Sequence, residues 1–156
     1  MIQNSPEKGV VSFTVPGEPR PQPRTKARAF FNAKTGKHIA QVYNPKGKSS
    51  DYRARVSHEA ALAMRGTQLI DGPLAMNLVF VLTKPKAKPK YKKWVTVRPD
   101  FDNYVKAALD AMQAIVFKDD AQVCRVYVEK RYPNDSEVPH TRVVCWRMEE
   151  KRGRDA

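Results

Sequence analysis

Apolar and polar positions alternate over "VVSFTV" (10–15), and the β-branched composition predicts a first strand there. Four prolines in the next nine residues, "PGEPRPQPR" (16–24), forbid helix and central strand alike. This stretch is expected to be an extended, stiff loop carrying Arg20 and Arg24. "ARAFF" and "HIAQVY" flank "NAKTGK", where the turn at Gly36 predicts a hairpin. In "SSDYRARVSHEAALAMRG" the repeat changes. Val56, Ala60, Ala63 and Met64 fall near helical spacing, Ser49 or Ser50 is placed to cap, and Gly66 ends the run. "PLAMNLVFVLT" (73–83) alternates in its second half and reads as a strand, and the lysine–proline run after it reads as a loop.

Pro99 sets up a second helix of about 15 residues, from Asp100 at the N-cap to Ile115. At about 100° per residue, Val105, Leu109, Met112 and Val116 share one arc and are expected to face the core. Asp102, Lys106 and Asp110 follow one another four apart along the adjacent, wetter arc. After "FKDD", "AQVCRVYVEKRY" (121–132) alternates as a strand, and "HTRVVCWRME" (140–149) is expected to be its hairpin partner across "PNDSEVP". The order strand, hairpin, helix, strand, helix, strand, strand predicts an α+β domain with a mixed, largely antiparallel sheet. The 156 residues suit a single domain with one core, ordered over about 10–149 and frayed at both ends. The sequence contains no repeat and no interdomain linker.

Charge changes the picture. The formal net charge is +13, and it is unevenly spread. From Pro19 to Ser50 there is no acid, while Arg20, Arg24, Lys26, Arg28, Lys34, Lys37, Lys46 and Lys48 all fall inside. "KPKAKPKYKKWVTVR" (84–98) also lacks acids and sets Tyr91 and Trp94 among Lys90, Lys92, Lys93 and Arg98. Such stretches attract polyanions by releasing condensed counterions, whatever the base sequence. A solubilising surface, or a tail that touches lipid, would have the same composition. No run of about 18 apolar residues and no signal-peptide pattern occurs, so a cytoplasmic protein that does not cross a membrane is expected. Cys124 and Cys145 lack metal-type spacing and read as reduced core residues, and His38, His58 and His140 are scattered. Zinc is therefore not expected.

Against this basic background stand two pairs of acids, Asp100 with Asp102 and Asp119 with Asp120. Each pair alone has a structural explanation, since aspartate caps helices, suits their N-terminal dipole and forms turns. Periodicity leaves open whether the strand after Asp120 returns beside the helix start. If it does, three carboxylates converge among cations, and oxygen ligands of that kind suit Mg²⁺ against a phosphate. Lys106 would then meet the developing negative charge. Its alternative is an i, i+4 ion pair with Asp102 or Asp110.

"RPDFDNYVKAALDAM" (98–112) followed by "FKDDAQV" (117–123) resembles the RusA family of Holliday-junction resolvases, known from bacteria and prophages. The family pattern is R-x-D-x-D-N-x-x-K-x-x-x-D-A-L, then a short apolar stretch, then D-D-x-Q-V. Arg98, Asp100, Asp102, Asn103, Lys106, Asp110, Ala111, Asp119, Asp120, Gln122 and Val123 match it. "VPGEPRPQPR" (15–24) is similar to the family's proline- and arginine-rich segment. Ala114, where many members have Gly, and Met112, which replaces the usual Leu, depart from the pattern. The resemblance implies that Asp100, Asp102 and Asp120 hold Mg²⁺, with Mn²⁺ able to replace it, and that Lys106 is catalytic. Asn103, Asp110 and Asp119 would order the site. It also implies branched DNA as substrate and a homodimer, because a two-fold symmetric junction calls for two active sites. Arg20, Arg24, Lys26, Lys90, Lys92, Lys93 and Arg98 are the expected DNA-backbone contacts, with Tyr91 placed to stack on an unpaired base. The rival readings are a nuclease that prefers flaps or forks, and a non-catalytic binding protein whose acids only cap helices.

Overall fold

The computed structural model describes residues 9–43 and 49–150. The fraying expected at both ends, and Lys46 and Lys48 of the basic stretch, lie outside these residues. The chain runs β1 (Val10–Pro16), β2 (Lys26–Asn32), β3 (Lys37–Tyr43), α1 (Ser49–Ala63), β4 (Leu74–Val81), α2 (Phe101–Met112), β5 (Val123–Arg131) and β6 (His140–Arg147). It is the expected α+β domain with a mostly antiparallel sheet.

β1, β6, β4 and β5 form one sheet in that order, with only the β4–β5 pair parallel. The expected β5–β6 hairpin does not form, because β4 lies between the two strands. The reason is the helix that separates β4 from β5. A strand reached through a helical crossover comes back parallel to the first, so β5 takes one edge of β4 and β6 the other. β4 can occupy the centre because Leu74, Ala75, Met76, Leu78, Phe80 and Val81 are buried, leaving little polar edge to solvate.

α1 and α2 pack together, with Tyr52, Val56 and Ala60 of α1 buried. The Tyr52 hydroxyl lies 2.8 Å from Thr141 Oγ1 of β6, so this buried pair of polar groups is satisfied. α2 is rotated relative to the expected arc. Met112 and Val116 are fully buried, but the helix turns Tyr104, Ala107, Ala108 and Ala111 inward. Alanines permit close approach, and Ser57 Oγ of α1 donates to the Ala111 carbonyl at 2.8 Å. Val105 and Leu109 are left at the margin of the core.

α2 also stops three residues early. Ala114 has φ 64°, in the left-handed region that opposes an L side chain, and its N–H donates to the Phe117 carbonyl at 2.7 Å. Cys145 is buried in β6, its thiol pushed up to about 12 by burial. Cys124, however, is exposed rather than in the core. β4 pairs Leu74 with Val123 and Ala75 with Arg125, so Cys124 is the extra residue of a β-bulge and is turned out to solvent.

β2 and β3 form a separate two-stranded sheet, exposed on both faces. Its register puts Ala27, Ala29, Phe31, His38, Ala40 and Val42 on one face. Lys26, Arg28, Phe30, Lys37, Ile39, Gln41 and Tyr43 share the other, where the Arg28 guanidinium stands 5.5 Å from the Phe30 ring and 5.6 Å from Tyr43.

Candidate active site

Asp100 occupies the N-cap of α2, as expected, but its side chain makes no capping hydrogen bond. Its Oδ2 instead accepts from Arg24 Nη2 at 3.0 Å. The capping explanation therefore fails for Asp100. Asp102 lies in the first turn, where the helix dipole suits an acid, and its exposed carboxylate has no partner among the described residues.

The other pair divides its work. Residues Asp120–Gln122 form a single 3₁₀ turn leading into β5. The Asp119 carboxylate accepts from the Ala121 N–H at 2.9 Å, and Gln122 Oε1 accepts from the Lys118 and Asp119 N–H groups at 2.9 and 3.1 Å. The Gln122 amide then donates to the Ile70 and Gly72 carbonyls at 3.0 and 3.1 Å. Asp119 and Gln122 thus form a reciprocal capping box fixed to the start of β4. Asp120 is left with its carboxylate unpartnered among the described residues.

Asp102, Lys106 and Asp110 of α2 line one cleft of about 360 Å³ together with Asp120. Val105 and Leu109 of α2 and Val126 and Val128 of β5 give the cleft an apolar wall. The α2 rotation that keeps Val105 and Leu109 out of the core is what puts them here. Lys106 Nζ lies 3.6 Å from Asp110 Oδ1, so its i, i+4 partner is Asp110 and not Asp102.

Asp100 opens onto a neighbouring cleft of about 510 Å³, lined by Arg24, Lys26, Arg98 and Asn103 with Pro21 and Pro23 of the 16–24 loop. That loop is tied down along its length. Gly17 has φ 89°, and a Cβ there would collide with the Arg55 guanidinium, which donates to the Pro16 and Glu18 carbonyls. Glu18 accepts from the Thr83 N–H at 3.0 Å, and the Gln22 N–H donates to the Asn103 carbonyl at 2.9 Å. Arg20 of the same loop is half-buried, and the Tyr104 phenol is pushed up to about 12, first by burial and then by the charge of Glu18, with Arg20 opposing. Among the described residues, no three of His, Cys, Asp and Glu stand close enough to hold a metal. Asp102 and Asp120 share a cleft, while Asp100 is turned toward Arg24.

Over residues 84–93 the basic run folds into successive turns, Lys88 N–H to Pro85 and Lys92 N–H to Pro89, and Lys84 Nζ donates to the Lys90 carbonyl at 2.7 Å. Tyr91 is 86% exposed at its tip. Trp94 is 49% exposed, with Lys93 Nζ 4.6 Å from its ring centre and its backbone bridged to Arg131. Two residues of the site were not given a role by sequence reasoning. Gln122, although part of the D-D-x-Q-V pattern, carries the capping box. Phe101 lines the acidic cleft while being largely exposed, and a large aromatic immediately after an N-cap was the available signal.

A small α+β sheet that sets an acidic cleft beside a cationic one has the makings of a domain that cuts nucleic acid. The chain belongs to the RusA family of endodeoxyribonucleases: the family described as "Endodeoxyribonuclease RusA" matches residues 16–144. It is also 33% identical over 144 residues to the "Uncharacterized protein YqaN" of Bacillus subtilis (strain 168), covering 86% of this chain and 94% of that one. Membership makes this chain an endodeoxyribonuclease, in a family of Holliday-junction resolvases that acts on branched DNA. No helix among the described residues is long and apolar enough to cross a membrane.

Proposed function

We propose that this nuclease resolves four-way DNA junctions by paired symmetric nicks, with Mg²⁺ as its metal and Mn²⁺ able to replace it. The observation that carries the reading is the single cleft shared by Asp102, Lys106 and Asp120, with two carboxylates that no described residue occupies. Mg²⁺ is commonly held by one or two carboxylates, with water and substrate phosphate completing its shell. The donor set of Asp102 and Asp120 fits that requirement, and Asp100 joins it when Arg24 is drawn away. Bound there, the metal supplies a Lewis acid that activates water and polarises the scissile phosphate.

The protein's own residues do the rest. Arg24, Lys26 and Arg98 line the adjacent cleft and are placed to seat a neighbouring phosphate of the same strand, with bidentate geometry available to the arginines. A phosphate seated there competes for Arg24 and so frees the Asp100 carboxylate. Lys106 exchanges its ion pair with Asp110 for the charge that develops on the cleaved phosphodiester. Asp119 and Gln122 hold the turn that aims Asp120, and Asn103 anchors the proline loop through its carbonyl.

The protein is proposed to act as a homodimer in DNA recombination and repair, in the cytoplasm of a bacterial or phage-infected cell. Support for the dimer comes from the β2–β3 hairpin. A lone two-stranded sheet is marginal in water, and this one carries a face of Ala27, Ala29, Phe31, His38, Ala40 and Val42, without lysine or arginine, on a strongly basic chain. Two such chains repel except through a surface of this kind. The opposite face, with Lys26, Arg28 and Lys37, is left for DNA. Incubating the protein with a synthetic four-way junction, a flap and a linear duplex, in Mg²⁺ or EDTA, tests the reading. Symmetric nicks in the junction alone, and only with Mg²⁺, are expected. A preference for the flap would favour the rival nuclease, and binding without cutting would favour the non-catalytic protein.

A further inference from the structure

Lys130, near the end of β5, is half-buried and spends its charge on the protein's own backbone. Its Nζ donates to the Val97 carbonyl at 2.9 Å and to the Pro99 carbonyl at 2.7 Å. These two carbonyls flank Arg98, and the second immediately precedes Asp100. The backbone is also paired here, with the Val95 N–H donating to the Lys130 carbonyl at 3.3 Å and the Tyr132 N–H to the Lys93 carbonyl at 2.8 Å. β5 therefore touches both halves of the candidate site. Its first residues follow the turn that bears Asp120, and its penultimate residue grips the segment that launches α2.

From this we infer that Lys130 is a positioning residue, whose ammonium group fixes the helix entrance carrying Asp100 and Asp102 relative to Asp120 and directs Arg98 into the basic cleft. The inference rests on the metal-dependent nuclease reading above and assigns a role that neither the sequence pattern nor the family match supplies. A lysine serves here because an ammonium offers three donors around one centre, enough to hold two carbonyls at once. Because those carbonyls already engage it, Lys130 differs from exposed lysines of the 84–93 turns, such as Lys86 and Lys90, which face solvent and can meet phosphate. Small displacements of a reacting group cost rate steeply, on the order of a hundredfold for 1 Å.

The test compares wild type, Lys130→Met and Lys130→Arg in four measurements. These are single-turnover junction nicking in Mg²⁺, Mn²⁺ affinity of the DNA-free protein by electron paramagnetic resonance, the salt dependence of junction binding in Ca²⁺, and thermal unfolding. Lys130→Met is expected to lower the nicking rate by roughly tenfold or more and to weaken Mn²⁺ binding. Its junction affinity, the slope of its salt dependence and its melting temperature are expected to stay near wild type. Lys130→Arg, which keeps the donors, is expected to recover most of the rate. Wild-type nicking and Mn²⁺ binding by Lys130→Met would overturn the inference. So would a rate loss that follows the melting temperature and is not rescued by arginine, since that is support of the fold alone. A salt slope smaller by about one unit would make Lys130 a phosphate-binding residue instead. Failure of the wild type to cut would count against the nuclease reading, and the Mn²⁺ comparison would still decide the role of Lys130.

Discussion

Asp119 and Asp120 are neighbours with opposite occupations. The first accepts a backbone N–H and completes a capping box, while the second projects into the cleft with no described partner. Asp119→Ala is therefore expected to cost stability, roughly 0.5–1 kcal/mol as for other N-caps, while retaining most nicking activity. Equilibrium denaturation beside a nicking assay reads both, and a variant that loses activity at unchanged stability would move Asp119 into the metal's shell. Asp100 shows what residue types and spacing cannot convey. The pattern singles out its carboxylate, but its engagement by Arg24, 76 residues away in the chain, depends on where the proline loop is pinned. Ala114 is the reverse case, a site where the departure from the family's glycine had a visible consequence. A left-handed L-residue costs roughly 1–2 kcal/mol, part of which glycine loses again in unfolded-state entropy. Ala114→Gly is expected to stabilise the protein by roughly 0.5–1 kcal/mol, and a lower melting temperature would contradict that account of the turn.

At the scale of elements, every strand and both helices were legible, β2 and β3 from the turn at Gly36 and the others from the alternation and helical spacing of apolar residues. Their partners were less so. β5 and β6 read as a hairpin because a turn-rich segment joins them, yet pairing is decided by the helix before β5, which commits that strand to the parallel edge of β4. The bulge at Cys124 was hidden for a similar reason, since alternation continues on either side of it. The rotation of α2 escaped the helical wheel because Ala107, Ala108 and Ala111 have little apolar weight but allow the closest packing. The β5–β6 connection is braced by Arg131 and Glu137, with Arg131 Nη2 2.9 Å from Glu137 Oε1. The hydrogen bond from Arg131 holds the Glu137 carboxyl down to about 2, from an ordinary 4.5. A carboxyl depressed in the folded state contributes stability that is full above its unfolded value and is lost as pH falls toward the folded one. Between about pH 4.5 and 2, Glu137→Gln is therefore expected to flatten the fall in stability. An unchanged acid slope in denaturant titrations would show the pair to be inert.

The whole molecule combines a large positive field with a small set of acids, and the two have separable effects. Replacing Lys90, Lys92 and Lys93 together by alanine is expected to weaken binding to junction and duplex alike, because lysines that meet phosphates position a protein without reading shape or sequence. The log–log salt slope should fall by about one unit for each phosphate the variant no longer neutralises. Folding should hardly change, since these side chains lie outside the core. A defect confined to the junction would mean that the loop reads branching rather than charge. The acids should behave in the opposite way, because removing negative charge beside DNA leaves binding intact or tightens it. Single-turnover nicking of a four-way junction in Mg²⁺, measured for wild type and for Asp100→Asn, Asp102→Asn and Asp120→Asn at matched DNA occupancy, bears most directly on the acidic cleft as the catalytic centre. All three variants are expected to bind the junction as well as wild type and to cut it at a rate near background. Wild-type cutting by Asp102→Asn or Asp120→Asn, the two whose carboxylates share the cleft, would contradict the account.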